Sequence, residues 1–147
     1  MFAGIVAPSY INAPWVGRMS DNPKLRILIV DDAGLVRAYY RDILERAGYR
    51  VDEALNGVEA LEKLLQEDAD LLIVDVNMPQ MDGISFLKTL RRQKLPLAST
   101  PAIVASTESE AHDMDSARAA GANHYLVKPL REETLLQYVA LLSGRPA

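Results

Sequence analysis

Leu71-Leu72-Ile73-Val74-Asp75-Val76-Asn77-Met78-Pro79 sets four large apolar residues against a single aspartate and is stopped by a proline. An apolar run without polar alternation reads as a strand buried on both faces, which occurs mostly in parallel sheets covered by helices. Asp75 then stands at the carboxyl end of that strand, the edge at which open parallel sheets bind ligands.

Working outward toward the amino terminus, Val58, Leu61, Leu64 and Leu65 recur at helical spacing behind the turn residues Asn56-Gly57. Before them Arg50 to Ala54 reads as a short strand. An earlier helical period runs through Val36, Tyr39/Tyr40, Ile43, Leu44 and Ala47 and is closed by Gly48, as a C-cap residue would close it. It follows the strand Leu25-Arg26-Ile27-Leu28-Ile29-Val30, which Asp31-Asp32 stops.

Toward the carboxyl terminus, a loop from Pro79 to Gly83 leads to a helix carrying Ile84, Leu87 and Leu90. The strand Ala102-Ile103-Val104-Ala105-Ser106 follows Pro101. The next helix, roughly Glu108 to Ala120, offers only Ala111, Met114 and Ala117 as an apolar stripe. It is the helix least anchored by burial, hence the one readiest to shift. His124-Tyr125-Leu126-Val127 is a strand running into Lys128-Pro129, and Leu135, Leu136, Val139 and Leu142 mark a last helix.

Five strand–helix pairs in strict alternation predict one α/β domain, a doubly wound five-stranded parallel sheet with right-handed crossovers and five helices on its two faces. All strand carboxyl ends then share one edge. This sequence places Asp31 and Asp32, Asp75, Ser106 and Lys128 there, from four different strands.

Composition narrows the chemistry. With 147 residues the chain has the length of one domain with a real core, and with no cysteine it has no disulfide, thiolate metal site or cysteine nucleophile. Its two histidines, His112 and His124, read as surface residues. A formal net charge of −4 offers no basic field for a phosphate backbone, so no nucleic-acid partner is expected, and no apolar run is long enough for a membrane span. Met1 to Gly17 holds no charged residue, and Pro8 and Pro14 interrupt it. Residues 1–23 are expected to form an amino-terminal extension, poorly ordered or artificial. The functional alternative is a docking tail built on Tyr10 and Trp15. Residues 24–143 make the domain, and 144–147 a tail.

Three carboxylates brought together repel one another unless a cation sits among them. Oxygen ligands without histidine or cysteine favour a hard ion, Mg²⁺ first. Lys128 adds a point charge and Ser106 a hydroxyl donor. Together these groups suit a phosphoryl group carried by Asp75, since an ionised carboxylate is a competent nucleophile and needs no base.

Val30-Asp31-Asp32, Asp75-Val76-Asn77-Met78-Pro79 with Met81-Asp82-Gly83, Ser106 and Lys128-Pro129 resemble the motif set of response-regulator receiver domains, nearest the stand-alone chemotaxis (CheY-like) type. The likeness covers about residues 24 to 143. It implies a flavodoxin-like sheet order of 2-1-3-4-5, an order the receiver family itself exemplifies. It further implies Asp75 as phosphoacceptor, Asp32 as a direct Mg²⁺ ligand, Asp31 as a water-mediated one, and the Asn77 backbone carbonyl as another. Lys128 resembles the phosphate-contacting lysine, followed by a cis peptide to Pro129. Ser106 matches the switch hydroxyl, and Tyr125 the aromatic that swings inward with it. Asn77 and Glu108 match positions that tune phosphate lifetime. Thr107 stands where the family usually has alanine or glycine, Ala33-Gly34 where larger or polar residues are common, and Leu130 where phenylalanine is frequent.

The implied protein is a cytoplasmic two-component response regulator that accepts phosphate from a sensor histidine kinase. It would catalyse only its own phosphorylation and dephosphorylation. Its fourth helix, fifth strand and fifth helix would then be remodelled to bind a downstream protein such as a flagellar motor component, with a phosphatase as a further partner. Because the chain ends soon after the fifth helix, the expected output is a protein contact.

The ordinary readings of the same residues stand beside this one. Asp31, Asp32 and Asp75 could cap helices; Lys128, Arg91-Arg92 and Arg131-Glu132-Glu133 could be solvated charges; Ser106 could simply end a strand, and Tyr125 could be a packed edge aromatic. A haloacid-dehalogenase-type phosphatase also uses an aspartate nucleophile. It wants a second aspartate as general acid where Asn77 stands. A third reading is a receiver-like module that binds without phosphate.

Overall fold

The structure is a computed structural model and describes residues 24–144. The expected amino-terminal extension, with Tyr10 and Trp15, lies outside the described residues, as do 145–147. β1 (Arg26–Val30) pairs in parallel with β2 (Arg50–Ala54) on one side and β3 (Leu71–Asp75) on the other, and β3 is followed outward by β4 (Ala102–Ser106) and β5 (His124–Val127). The order β2-β1-β3-β4-β5 is the predicted 2-1-3-4-5.

Period-two alternation sorts the strand residues into two cores. On one face Ile27, Ile29, Leu71, Ile73, Ile103 and Ala105 meet Tyr40, Ile43 and Leu44 of α1 (Gly34–Arg46) and Leu135 and Val139 of α5 (Glu132–Ser143). On the other, Leu28, Val30, Leu72, Val74, Ala102 and Val104 meet α2 (Gly57–Gln66), α3 (Gly83–Arg91) and α4 (Ala111–Ala120). β1 and the apolar part of β3 are at most 1% exposed apart from Arg26. That burial on both faces is what an unalternating apolar run requires.

Three helices open on glycine with different surroundings. A β-carbon added at Gly34 would meet nothing nearer than Arg37 Nη2 at 3.6 Å, one at Gly57 would run into the Met81 side chain at 2.7 Å, and one at Gly83 would lie 2.1 Å from the Asp75 carbonyl oxygen. α2 and α3 are capped by Asn56 and Asp82, whose side chains accept from Glu59 N–H and Ser85 N–H; α1 has Ala33 at its N-cap, with no side-chain hydrogen bond there.

Three sequence readings are corrected. Val58 and Leu65 are 41% and 73% exposed, because α2 turns its Gly57, Ala60 and Leu64 line inward, where small residues allow the close approach to Met81 and Phe86. α4 starts at Ala111 and not near Glu108, and its buried residues are Ala117 and Ala120, with Ala111 exposed. Arg91 is no solvated charge: it reaches under the end of α4, donating to the carbonyls of Gly121 (2.7 Å), Ala98 (3.0 Å) and Thr100 (2.6 Å). Burial pushes its pKa down.

The edge strand β2 is faced with charge. Asp52 accepts from Arg26 (2.7 Å) and Lys63 (3.1 Å), and Glu53 from Arg37 (2.7 Å) and Arg41 (2.6 Å). Burial works to raise the Asp52 pKa, but Arg26, the Glu53 N–H and Lys63 together hold it at about 2.

Candidate functional site

Strand register assembles the site. Val30 is level with Val74, so Asp31 follows β1 at the height of Asp75; Asp75 is level with Ala105 and Ser106 with Val127, which sets Ser106 and Lys128 one step further out. Four chain segments distant in sequence thereby converge at the carboxyl edge, as expected from the alternation.

Asp31 is 2% exposed and fixed on every side. Its N–H donates to the Ala54 carbonyl (3.1 Å), and its own carbonyl accepts from Arg37 Nη1 (2.7 Å). Its carboxylate accepts from Ala33 N–H (2.9 Å) through Oδ1 and from Lys128 Nζ (2.9 Å) through Oδ2. Lys128, its side chain 16% exposed, also donates to Asp75 Oδ1 at 3.1 Å. Its backbone N–H donates to the Ser106 carbonyl at 2.7 Å, and its peptide to Pro129 is cis. The lysine is therefore a half-buried bridge between two strand ends, not a solvated charge.

Asp32 is exposed, and Asp31, Asp32 and Asp75 each offer an oxygen within 4.8 Å of the others. One ammonium against three carboxylates leaves the cluster negative. The Asp75 pKa registers this: burial raises it, Asp31 and Asp32 raise it further, and Lys128 only partly offsets them. For Lys128 burial acts downward, but its hydrogen bonds and charge pairing with Asp31 and Asp75 prevail and hold its pKa up. A hard divalent cation would fit this donor set in charge and in ligand type, with Asp31, Asp32 and Asp75 as the residues that would hold it.

None of these aspartates is the N-cap of a helix: α1 is capped at Ala33, and α3 is capped by Asp82. The capping alternative is thereby removed for Asp32 and Asp75 and reduced for Asp31 to one bond with Ala33 N–H.

Ser106 is 1% exposed and its Oγ accepts from Glu108 N–H at 3.1 Å; Tyr125 Oη donates to the Glu108 carbonyl at 2.8 Å. Both residues thus hold the same short β4–α4 loop. Thr107, Glu108 and Asn77 are exposed around the cluster, and Leu130 is buried in the core beside α1. His112 is exposed, whereas His124 is part-buried and stacked on Tyr138 at 4.0 Å between ring centroids.

Sequence reasoning missed the part that three neighbours play. Arg37 ties the Asp31 carbonyl to Glu53, Gly83 lets α3 start against the Asp75 carbonyl, and Tyr40 is a buried phenol whose pKa rises to about 12, by burial first and then under the charges of Asp31 and Asp75, against Lys128. Gly83 was visible as part of a motif. Arg37 and Tyr40 carried no signal, since both fall at ordinary positions of a helical repeat.

The model of the response regulator receiver domain family matches residues 27–140. Over 125 residues the chain is 37% identical to the transcriptional regulatory protein ResD of Bacillus subtilis, an alignment covering 84% of this chain and 50% of ResD, so the chain spans about half of that protein. It is 37% identical over 115 residues to the chemotaxis protein CheY of the same organism, covering 78% of this chain and 93% of CheY. The solved structure of Vibrio cholerae chemotaxis protein CheY4 superposes with a TM-score of 0.76 at 37% identity, covering 81% of this chain and 98% of the other.

Proposed function

Because the chain belongs to the response regulator receiver family, we propose that it is a phosphorylation-controlled switch that takes a phosphoryl group from a sensor histidine kinase onto Asp75. Phosphoryl acceptance is general to that family. The observation that supports Asp75 as the acceptor in this chain is the Lys128 bridge: one ammonium 2.9 Å from Asp31 and 3.1 Å from Asp75, with Asp32 at the rim.

Asp75 is the nucleophile. Its carboxylate lies at a strand end, and an ionised carboxylate needs no general base. Asp31 and Asp32, with Asp75 and the Asn77 carbonyl, would hold Mg²⁺, which when bound neutralises charge on the transferring group. Lys128 is placed to leave Asp75 for a phosphoryl oxygen, trading one charge-assisted hydrogen bond for another. Ser106 Oγ, whose only partner among the described residues is the Glu108 N–H, retains its own hydrogen for a further phosphoryl oxygen. Its movement would release the Glu108 peptide that Tyr125 holds from the other side. That loop leads into α4, and among the residues of α4 only Ala117 and Ala120 are buried. The α4–β5–α5 face is accordingly the surface that would change and bind a downstream protein in the cytoplasm. Likeness to CheY favours a chemotaxis role with a target such as a flagellar motor component. Asn77, Thr107 and Glu108 would set the phosphate's lifetime.

The test is to incubate the protein with Mg²⁺ and acetyl phosphate and follow intact mass. The expected product is one added phosphoryl group, stable in acid and labile in base, that Asp75→Asn abolishes. A gain that survives Asp75→Asn would overturn the assignment. Rapid turnover of phosphomonoesters would instead indicate the phosphatase, a reading that no general acid at position 77 supports.

A further inference from the structure

The loop joining β3 to α3, residues 76–82, is pinned at both ends. At the near end the Val76 carbonyl accepts from Gly83 N–H at 2.9 Å. At the far end Met81 N–H donates to the Pro79 carbonyl at 2.7 Å across Gln80, whose φ of 66° is the one positive value at a non-glycine among the described residues. A three-residue turn of that kind is strained for a residue with a β-carbon and persists only where its surroundings hold it. What holds it is the amino end of α2. Gly57 N–H, one of the first donors of the helix and so without a partner inside it, donates to the Met81 carbonyl at 3.1 Å, and Asn56 Nδ2 donates to Gln80 Oε1 at 3.2 Å. The approach depends on glycine: a β-carbon at position 57 would stand 2.7 Å from Met81 Cγ and 2.8 Å from Phe86 Cβ. Cγ is one bond from the Met81 β-carbon, so relief takes a new χ1 or a shift of the loop backbone. Asn77 lies between the two pinned ends.

We propose that Asn56 and Gly57 are positioning residues of the metal site, and that by fixing the loop that carries Asn77 they give the site its preference for Mg²⁺ over Ca²⁺. This rests on the cation being held by Asp31, Asp32, Asp75 and the Asn77 carbonyl. The carboxylates attract either ion by charge and do not choose between them. The ions differ in tolerance: Mg²⁺ demands a near-ideal octahedron at about 2.0–2.1 Å, whereas Ca²⁺ accepts roughly six to eight oxygens at about 2.3–2.6 Å in irregular arrangements. The exposed Asp32 side chain can follow either ion, but a backbone carbonyl can follow only as far as its loop moves. Loosening the loop therefore costs the ion with the strict geometry more than the tolerant one. Neither Asn56 nor Gly57 is itself a ligand residue, so both act through the loop.

The test is calorimetric titration of the whole chain with Mg²⁺ and, separately, with Ca²⁺. Gly57→Ala is expected to weaken Mg²⁺ about three- to tenfold and Ca²⁺ by less than about twofold, short of the roughly ten- to hundredfold lost when a residue bonded directly to a ligand is changed. Asn56→Ser keeps a side chain able to cap α2 and loses only the donor to Gln80. It should shift the ratio the same way by about twofold, and it carries the test if Gly57→Ala does not fold. Val58→Ala, on the exposed side of the same turn, should leave both affinities at their wild-type values, and urea midpoints without metal report the folding of every variant. A purely structural role would lower those midpoints and leave the Mg²⁺-to-Ca²⁺ ratio alone. Wild-type protein that binds Ca²⁺ at least as tightly as Mg²⁺, or a ratio unchanged in both Gly57→Ala and Asn56→Ser, would overturn the positioning role and leave the metal site standing. No saturable Mg²⁺ binding by wild type, or binding that Asp32→Asn leaves unaltered, would overturn the metal reading and this inference with it.

Discussion

Replacing Gly83 by alanine separates two effects that usually act together. Alanine at a helical position is worth roughly 0.5–1 kcal/mol over glycine. At Gly83 the added β-carbon would sit 2.1 Å from the Asp75 carbonyl oxygen, where real β-carbons stay beyond 3.0 Å, so about 0.9 Å must be made up. Neither side yields easily: Gly83 N–H is bonded to the Val76 carbonyl at 2.9 Å, and β3 is paired on both flanks. Overpacking of a tight site costs about 1–3 kcal/mol, and here the atom struck is backbone, so the upper end applies. The net expectation is a loss of about 2–2.5 kcal/mol, read as a lower urea midpoint at unchanged slope. Gly34→Ala is the control. It also alters the first residue of a helix, but its β-carbon meets only Arg37 Nη2 at 3.6 Å, so it should be neutral or gain up to about 1 kcal/mol. Because Gly83 bears on Asp75 itself, its variant should also slow Asp75 phosphorylation by at least about tenfold, since misplacement approaching an ångström costs up to about a hundredfold. If Gly83→Ala matches Gly34→Ala in midpoint and wild type in phosphorylation rate, the close approach does not position the acceptor.

Arg37→Met removes the donor to the Asp31 carbonyl while keeping the aliphatic stem; losing one such bond should weaken Mg²⁺ binding by about three- to tenfold in calorimetry, with Arg37→Lys intermediate. Arg91→Met strands carbonyls at Ala98, Thr100 and Gly121 and should lower stability by about 2–4 kcal/mol in urea titration, far more than Arg92→Met on the exposed side. The Tyr40 phenol titrates at about 12 when folded and near 10 when unfolded, so its contribution is complete below pH ~10 and is lost as pH rises toward 12. Tyr40→Phe should flatten the alkaline fall in stability between those limits by up to about 1.4 kcal/mol per pH unit; identical slopes would show that the buried phenol is not the titrating group.

The sheet and the site's main groups were legible because they rest on coarse signals. An unalternating run such as Leu71 to Val74, short and stopped by Pro79, reads as a doubly covered strand, and strict alternation sends every strand end to one edge, which brings Asp31, Asp75, Ser106 and Lys128 together. What was not legible depends on angles within helices. The α2 stripe was drawn through Val58 and Leu65, but the helix rolls toward its small residues, a choice made by the neighbouring Met81 and Phe86. Arg91 and Arg92 are indistinguishable in sequence; only the placement of the α3–β4 connection and of the turn after α4 gives one of them carbonyls to hold. Arg37 likewise acts through a backbone atom, and a backbone acceptor leaves no trace in residue identity.

The two free margins of the sheet differ in stiffness. At β2 every charged side chain of the strand's middle is tied to a neighbour on β1, α1 or α2, and Arg26, 4% exposed, anchors the network from inside. At β5 the strand is only four residues long, Val127 is 41% exposed, and the side-chain ties described are a ring stack and a single hydroxyl donated to a loop. If Asp75 takes up a phosphoryl group as proposed, the strain at the shared carboxyl edge would be relieved more on the β5 side than on the β2 side, as the longer spring of two joined end to end stretches further. The ion pairs on the far margin would then do as much to set the direction of the response as the groups around Asp75.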